Sequence, residues 1–170
     1  MVRSAGDARR VKIYLASPLG FAESTRAFMD DLAARLRVHA TVLNPWDKSE
    51  LGGLFEPVPH LPTHAERLTR WREINTLIGA ANAEDIRAAD TTVAVLDGID
   101  VDSGTASEIG YAYGLGKRVY GLRTDFRQSG ENEGALVNLQ VRYFIDHSGG
   151  TVVTTIDALI AELFGAASNK

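Results

Sequence analysis

Thr91-Thr-Val-Ala-Val-Leu96-Asp97-Gly-Ile-Asp100-Val-Asp102-Ser-Gly-Thr105-Ala-Ser-Glu108-Ile-Gly-Tyr-Ala112 is the stretch on which the reading of this chain turns. Thr91–Leu96 is a near-continuous apolar and β-branched run, as in a strand covered on both faces. Thr105–Leu115 reads as a helix, with Gly116 as its stop signal. A glycine-containing turn between them carries Asp97, Asp100 and Asp102, and Glu108 follows. Crowded carboxylates raise each other's pKa, which makes such a cluster costly. Four acids within twelve positions at the C-terminal end of a strand therefore point to chemistry.

The same alternation extends outward on both sides. Val11–Ala16 is a strand ended by Ser17-Pro-Leu-Gly20. Ser24 is a candidate cap for a helix over 25–37, with Phe28, Leu32 and Leu36 on one face. Ala40–Leu43 reads as a short strand closed by Asn44-Pro45. Residues 46–63 form a Gly- and Pro-rich stretch, and a loop of that length is usually functional. Helical pattern runs from His64 to Ala89, with Gly79 as a candidate break. Arg118–Leu122 is a fourth strand, 124–137 a polar loop, and Asn138–Ile145 fits neither period cleanly. Thr151–Thr154 is a fifth strand, followed by an amphipathic helix to Phe164.

Strands alternate with helices and no hairpin signal intervenes. The pattern predicts an α/β fold: an open, five-stranded parallel sheet with helices on both faces. Such sheets bind ligands beyond the C-terminal strand ends, near the point where strand order reverses. The loops Ser17–Gly20, Asp97–Thr105 and Thr124–Asn138 are then expected to share one rim.

Length and composition narrow the function classes. A chain of 170 residues suggests one domain, here over 11–165, with tails at 1–10 and 166–170. Net charge is −4, and no long basic run offers a nucleic-acid footprint. The absence of cysteine excludes disulfides, thiolate nucleophiles and Cys-based zinc sites. The N-terminal stretch has neither signal-peptide nor membrane-spanning character, so a cytoplasmic protein with no membrane partner is expected. His39, His60, His64 and His147 show no metal spacing. Neither metal nor cofactor is expected.

The acidic turn admits several readings. Thr105-x-x-Glu108 fits a capping box, which accounts for Glu108 as a helix-start residue. An EF-hand fails, because glycine falls at the fifth position from Asp100 and Tyr111 stands where the glutamate belongs. A magnesium site on Asp100-x-Asp102 lacks a companion lysine motif. No glycine-rich phosphate loop is present, although Ser103 or Thr105 could meet a phosphate near a helix N-terminus. The remaining reading is paired carboxylates for glycosidic chemistry. Glu108, in the first helical turn, would be favoured in its ionised form and serve as nucleophile. Asp102 would protonate the leaving group and needs the higher pKa of the two. Gly110 and Gly114, one turn apart, are read as allowing close helix–sheet packing.

Four segments together resemble the nucleoside 2-deoxyribosyltransferases: YLASPLGF (14–21), DGIDVDSGTASEIGYAYGLGK (97–117), VYGLRTDFR (119–127) and VNLQ (137–140). The resemblance runs from about Lys12 to Phe164, and the acidic turn with its following helix is its specific part. It implies a flavodoxin-like sheet and a homo-oligomer built from dimers. It implies transfer of 2-deoxyribose between purine or pyrimidine bases, with deoxynucleosides and free bases as partners. By motif, Glu108 resembles the nucleophile that forms a covalent deoxyribosyl-enzyme, and Asp102 the carboxylate that handles the proton on the base. Asn138 resembles an amide donated across the dimer interface, and Tyr14 a tyrosine near the nucleophile. Ser17, Gly20, Asn82, Ser103, Gly104 and Gln140 fall at candidate substrate-binding positions. The chain departs from the family at Asn82, where many members carry an aspartate, with Glu84 and Asp85 close by. It also departs at Gln140, where some members are apolar.

Two alternatives stand beside transfer. One is an N-glycosidase acting on nucleoside 5′-monophosphates, which needs a phosphate site such as Ser17, Ser103 and Arg26. The other is a non-catalytic nucleoside- or nucleotide-binding module. Arg123, Asp125 and Arg127 alternate in sign and read as a surface network. Trp46 and Trp71 are expected to be buried under the long loop.

Overall fold

The computed structural model describes residues 9–48 and 52–165. Residues 1–8 of the expected N-terminal tail (1–10), the expected tail at 166–170, and positions 49–51 of the long loop lie outside the described residues. Five strands form one parallel sheet: β1 (Lys12–Ala16), β2 (Thr41–Leu43), β3 (Thr91–Val95), β4 (Arg118–Leu122) and β5 (Val152–Val153), in the order β2-β1-β3-β4-β5. Among the described residues, five α-helices connect and cover them: α1 (Glu23–His39), α2 (His64–Ala88), α3 (Ser103–Gly114), α4 (Leu139–His147) and α5 (Ile156–Phe164). The fold is flavodoxin-like, as expected, and the order reverses between β1 and β3.

Strand period two decides which residues meet which helices. Ile13, Leu15, Val93, Val95, Tyr120 and Leu122 join one buried cluster with Met29, Leu32 and Leu36 of α1 and Leu159 of α5. Tyr14, Ala16, Ala94, Leu96 and Val119 point to the other face, against Ile86 of α2, Ile109 of α3 and Val141 and Ile145 of α4. β3 is buried at all five positions because it lies between β1 and β4 and is covered on both faces. Register places Tyr14 beside Thr92. Parity thus sends the Tyr14 side chain to the side where α3 packs.

Several local expectations are corrected. α1 begins at Glu23 behind Ala22, so Ser24 is not its cap. The Thr25 hydroxyl instead donates to the Ala22 carbonyl at 3.0 Å. α2 runs through Gly79 without a break, started by a capping box between Thr63 and Glu66. Residues 139–147 are helical, with Asn138 as cap. A Cβ at Gly110 would meet the Phe144 ring of α4 at 3.4 Å, while one at Gly114 would meet nothing. The close approach at Gly110 is therefore helix to helix, not helix to sheet. No described helix is long and apolar enough to cross a membrane.

Candidate active site

The turn after β3 is shaped by its first glycine and closed by its last aspartate. Gly98 sits at φ 126°, a region that side chains oppose. Asp102 then caps α3, its Oδ2 accepting the Thr105 N–H at 2.9 Å and the Thr105 hydroxyl at 3.3 Å. The helix starts at Ser103, two residues earlier than its pattern suggests. Thr105 is a buried helical residue, and the expected capping box with Glu108 does not form. Glu108 consequently lies in the second turn, beyond the strongest part of the helix dipole. Asp100 is exposed and accepts the Val101 N–H at 2.8 Å. Among the described residues, no three His, Asp or Glu side chains converge as metal ligands.

Glu108 faces a cavity of about 800 Å³ above the ends of β1 and β3. Tyr14, fully buried, donates its hydroxyl to Glu108 Oε1 at 2.6 Å. Asn82 of α2 donates Nδ2 to the same oxygen at 3.4 Å. No hydrogen bond from a described residue reaches Oε2. Burial raises the Glu108 pKa; the Tyr14 and Asn82 donors oppose the rise, and the charge of Asp102 adds to it. The Tyr14 pKa is pushed far above its ordinary value by burial and by the Glu108 carboxylate, so the phenol stays protonated as a donor. These directions correct the sequence-based expectation of a carboxylate favoured in its ionised form: desolvation outweighs the two donors.

The Asn82 amide has one workable orientation. Turned over, its oxygen would oppose the Glu108 carboxylate. As it stands, its buried Oδ1 has no partner among the described residues, a costly arrangement for an amide. Neither nearby acid replaces the missing carboxylate. Asp85 pairs with Lys48 at 2.7 Å, and Glu84 with Arg87 at 2.9 Å.

Ser17 and Gly20 form the β1 side of the cavity, and Ser103 and Gly104 the first turn of α3. Gly20 has no alternative residue here, because a Cβ would lie 2.1 Å from the Trp46 ring. Trp46 is held by Nε1 donating to the Ser17 carbonyl at 3.0 Å and by the Asn44 side chain, which accepts its backbone N–H at 3.2 Å. Trp46 is 40% exposed and forms a wall of the cavity edge-on to Phe21, so its expected burial is corrected. Trp71 is likewise part-exposed, against Phe55.

Asn138 and Gln140 do not line this cavity. Asn138 Oδ1 accepts the backbone N–H groups of Gln140 and Val141, and its Nδ2 donates to Glu131 at 2.6 Å. Phe21, Phe55, Asn75 and Ile78 line the cavity without having been singled out for it, as does Trp46, for which the sequence reading prefers burial over stacking on a base. Asn75, Ile78 and Asn82 stand three and four residues apart, which is one face of a helix. That spacing was a usable signal. The aromatic residues carried none, because loops bring them in.

The family and the fold can be set beside known proteins. The family model for nucleoside 2-deoxyribosyltransferase matches residues 13–140. No curated protein sequence matches the chain. Among solved structures, a conserved protein from Enterococcus faecalis V583 is 27% identical, with a TM-score of 0.65, covering 92% of this chain and 99% of its own. A 2-desoxiribosyltransferase from Leishmania mexicana is 24% identical, with a TM-score of 0.61, covering 94% and 99%. A CMP N-glycosidase from Clostridium botulinum is 17% identical, with a TM-score of 0.53, covering 89% and 96%. With its acidic turn, sheet order and matched span taken together, the chain belongs to the nucleoside 2-deoxyribosyltransferase family.

Proposed function

We propose that the chain transfers 2-deoxyribose between nucleobases through a covalent intermediate on Glu108. The observation that carries this reading is the Glu108 carboxylate, held on Oε1 by Tyr14 and Asn82 at the floor of a ligand-sized cavity. With Oε1 engaged, Oε2 is the oxygen that attacks C1′ of the sugar. The C1′–N bond breaks, its electron pair leaves with the base, and Asp102 delivers a proton to that base. Positive charge building on the sugar is stabilised by the facing carboxylate. An acceptor base then attacks C1′ from the vacated side, the ester bond to Glu108 breaks, and Asp102 takes a proton back. Two inversions give net retention, and ping-pong kinetics follow from the intermediate. Asp102 Oδ2 is used in capping α3, which leaves Oδ1 for the proton.

Asn138 belongs to the same reading through a second copy of the chain. What supports a homo-oligomer built from dimers is its position outside the cavity of its own chain, together with exposed Leu139 and Tyr143 on the same helix. The test is 2′-deoxyinosine with free adenine, followed by chromatography. Deoxyadenosine is the expected product, and its absence with wild type, or undiminished transfer by Glu108→Ala, sinks the reading.

One observation favours hydrolysis of a nucleoside 5′-monophosphate as the second reading. Arg26 lies on the cavity, and no described residue bonds its guanidinium. Ser17, Ser103 and the start of α3 line the same cavity, a setting compatible with a phosphate. Under this reading, a 5′-phosphate improves turnover and Arg26→Ala removes the improvement. Under transfer of unphosphorylated sugar, the phosphate blocks it.

A further inference from the structure

Arg123 follows β4, and its side chain is 1% exposed. The expected surface network is therefore corrected for this residue, although Asp125 and Arg127 do pair with each other. A buried guanidinium is costly unless its hydrogen bonds are met. Among the described residues, no carboxylate meets it. Nη1 donates to the Leu96 carbonyl just past β3. Nη2 donates to the Gly98 carbonyl at 3.3 Å and to the Arg127 carbonyl at 2.6 Å, and Nε has no partner among the described residues. Two of the three acceptors belong to the turn that leads to Asp102.

A second strap runs the opposite way. Asp97 Oδ1 accepts the backbone N–H groups of Thr124 and Asp125 at 2.6 and 2.9 Å, and Oδ2 accepts the Thr124 hydroxyl. The turn after β3 and the loop after β4 are thus tied in both directions. Ladder bonds fix the strands, but beyond Leu96 the turn has no sheet partner. Gly98, at positive φ, has the least intrinsic preference for any one conformation. An arginine is suited to the cradle because its planar fork reaches several carbonyls at once, which a lysine cannot do.

We propose that Arg123 is a positioning residue for proton delivery. By gripping the Leu96 and Gly98 carbonyls, it sets the path of the acidic turn and so the placement of Asp102 over the leaving base. The inference rests on the transfer reading above. It predicts a defect that depends on the leaving group. A base already carrying a positive charge leaves without a proton and has no need of Asp102. An ordinary base does need it.

The experiment compares release of base from 2′-deoxyinosine and from 7-methyl-2′-deoxyinosine. The proteins are wild type, Arg123→Met, Arg123→Lys, Thr124→Val and Asp102→Asn, each also followed by thermal unfolding. Misplacement of a catalytic group by an ångström costs about 100-fold. The expected result is a loss of that order in kcat for deoxyinosine with Arg123→Met, against little change for the methylated donor and little change in KM. Asp102→Asn should reproduce the pattern, Arg123→Lys should fail to rescue it, and Thr124→Val should show it more weakly. Equal losses on both donors would mean that Arg123 merely holds the fold, and overturn the proposal. If Arg123→Met is unfolded at the assay temperature, Arg123→Lys decides by the same criterion. Wild type inactive on both donors brings down the transfer reading itself, and this proposal with it, a result distinct from active wild type with an unselective variant.

Discussion

Glu108 is pulled in two directions. Burial and the neighbouring Asp102 charge raise its pKa, while the hydrogen bonds from Tyr14 and Asn82 lower it. The sign of a Tyr14→Phe substitution follows. Losing a donor that stabilises the carboxylate raises the Glu108 pKa further, so less of the nucleophile is ionised at a given pH. The acid limb of kcat/KM moves to higher pH, and activity at neutral pH falls by about ten-fold or more, as expected for a hydrogen bond to a charged group. A pH–rate profile of the variant checks this, and an unmoved acid limb contradicts it. Glu108 and Asp102 were legible in the sequence because carboxylates crowded at a strand end are unusual. The pKa balance was not, since desolvation depends on what packs around the carboxylate. Asn82 was legible as a departure, but not as a donor to Glu108 with an unsatisfied oxygen.

At the scale of elements, the proposed mechanism gives Asp102 a second task besides capping α3, and substitution can separate the two. As N-cap of α3 it satisfies the Thr105 N–H, and asparagine caps as well as aspartate. Asp102→Ala should cost about 1 kcal/mol of stability, a fall of roughly 2–4 °C in Tm for a domain of this size. Asp102→Asn should keep its Tm and still lose about 10²–10⁴-fold in transfer, the usual contribution of a positioned proton donor. Equal Tm values for the alanine and asparagine variants, or full activity in the latter, contradict this division. The five strands were readable from apolar runs, the first two closed by Ser-Pro and Asn-Pro signals. Helix starts were less so. Thr105-x-x-Glu108 looks like a capping box, but Asp102 takes the Thr105 N–H that the Glu108 side chain would have to accept. Residues 139–147 have a weak pattern on their own, and are helical because Val141 and Ile145 bury against β4 and α3.

At the scale of the molecule, the strand order explains why these residues meet at all. Reversal between β1 and β3 leaves a crevice at their C-terminal ends. There, strand parity brings Tyr14, and helix period brings Glu108 and Asn82, to one place. The sheet and the rim were legible because periodicity and loop position carry them. The aromatic wall of Phe21 and Trp46 was not, because it depends on how two loops lie against each other. Asn138 lies outside the cavity of its own chain, so the account predicts complementation between chains. Glu108→Ala and Asn138→Ala should each be poor catalysts alone. Mixed and allowed to reassemble, they form some pairs in which one site is intact, and activity returns. Mixtures no better than their parts would remove Asn138 from the site. The central claim is a covalent bond between Glu108 and the sugar, and intact-protein mass spectrometry after incubation with a deoxynucleoside and no acceptor base tests it most directly. The account predicts a species heavier by one deoxyribosyl unit, located on the peptide carrying Glu108, lost on adding adenine and absent from Glu108→Ala. Release of free base by wild type with no adduct at any time of quenching, or an adduct that persists in Glu108→Ala, contradicts it.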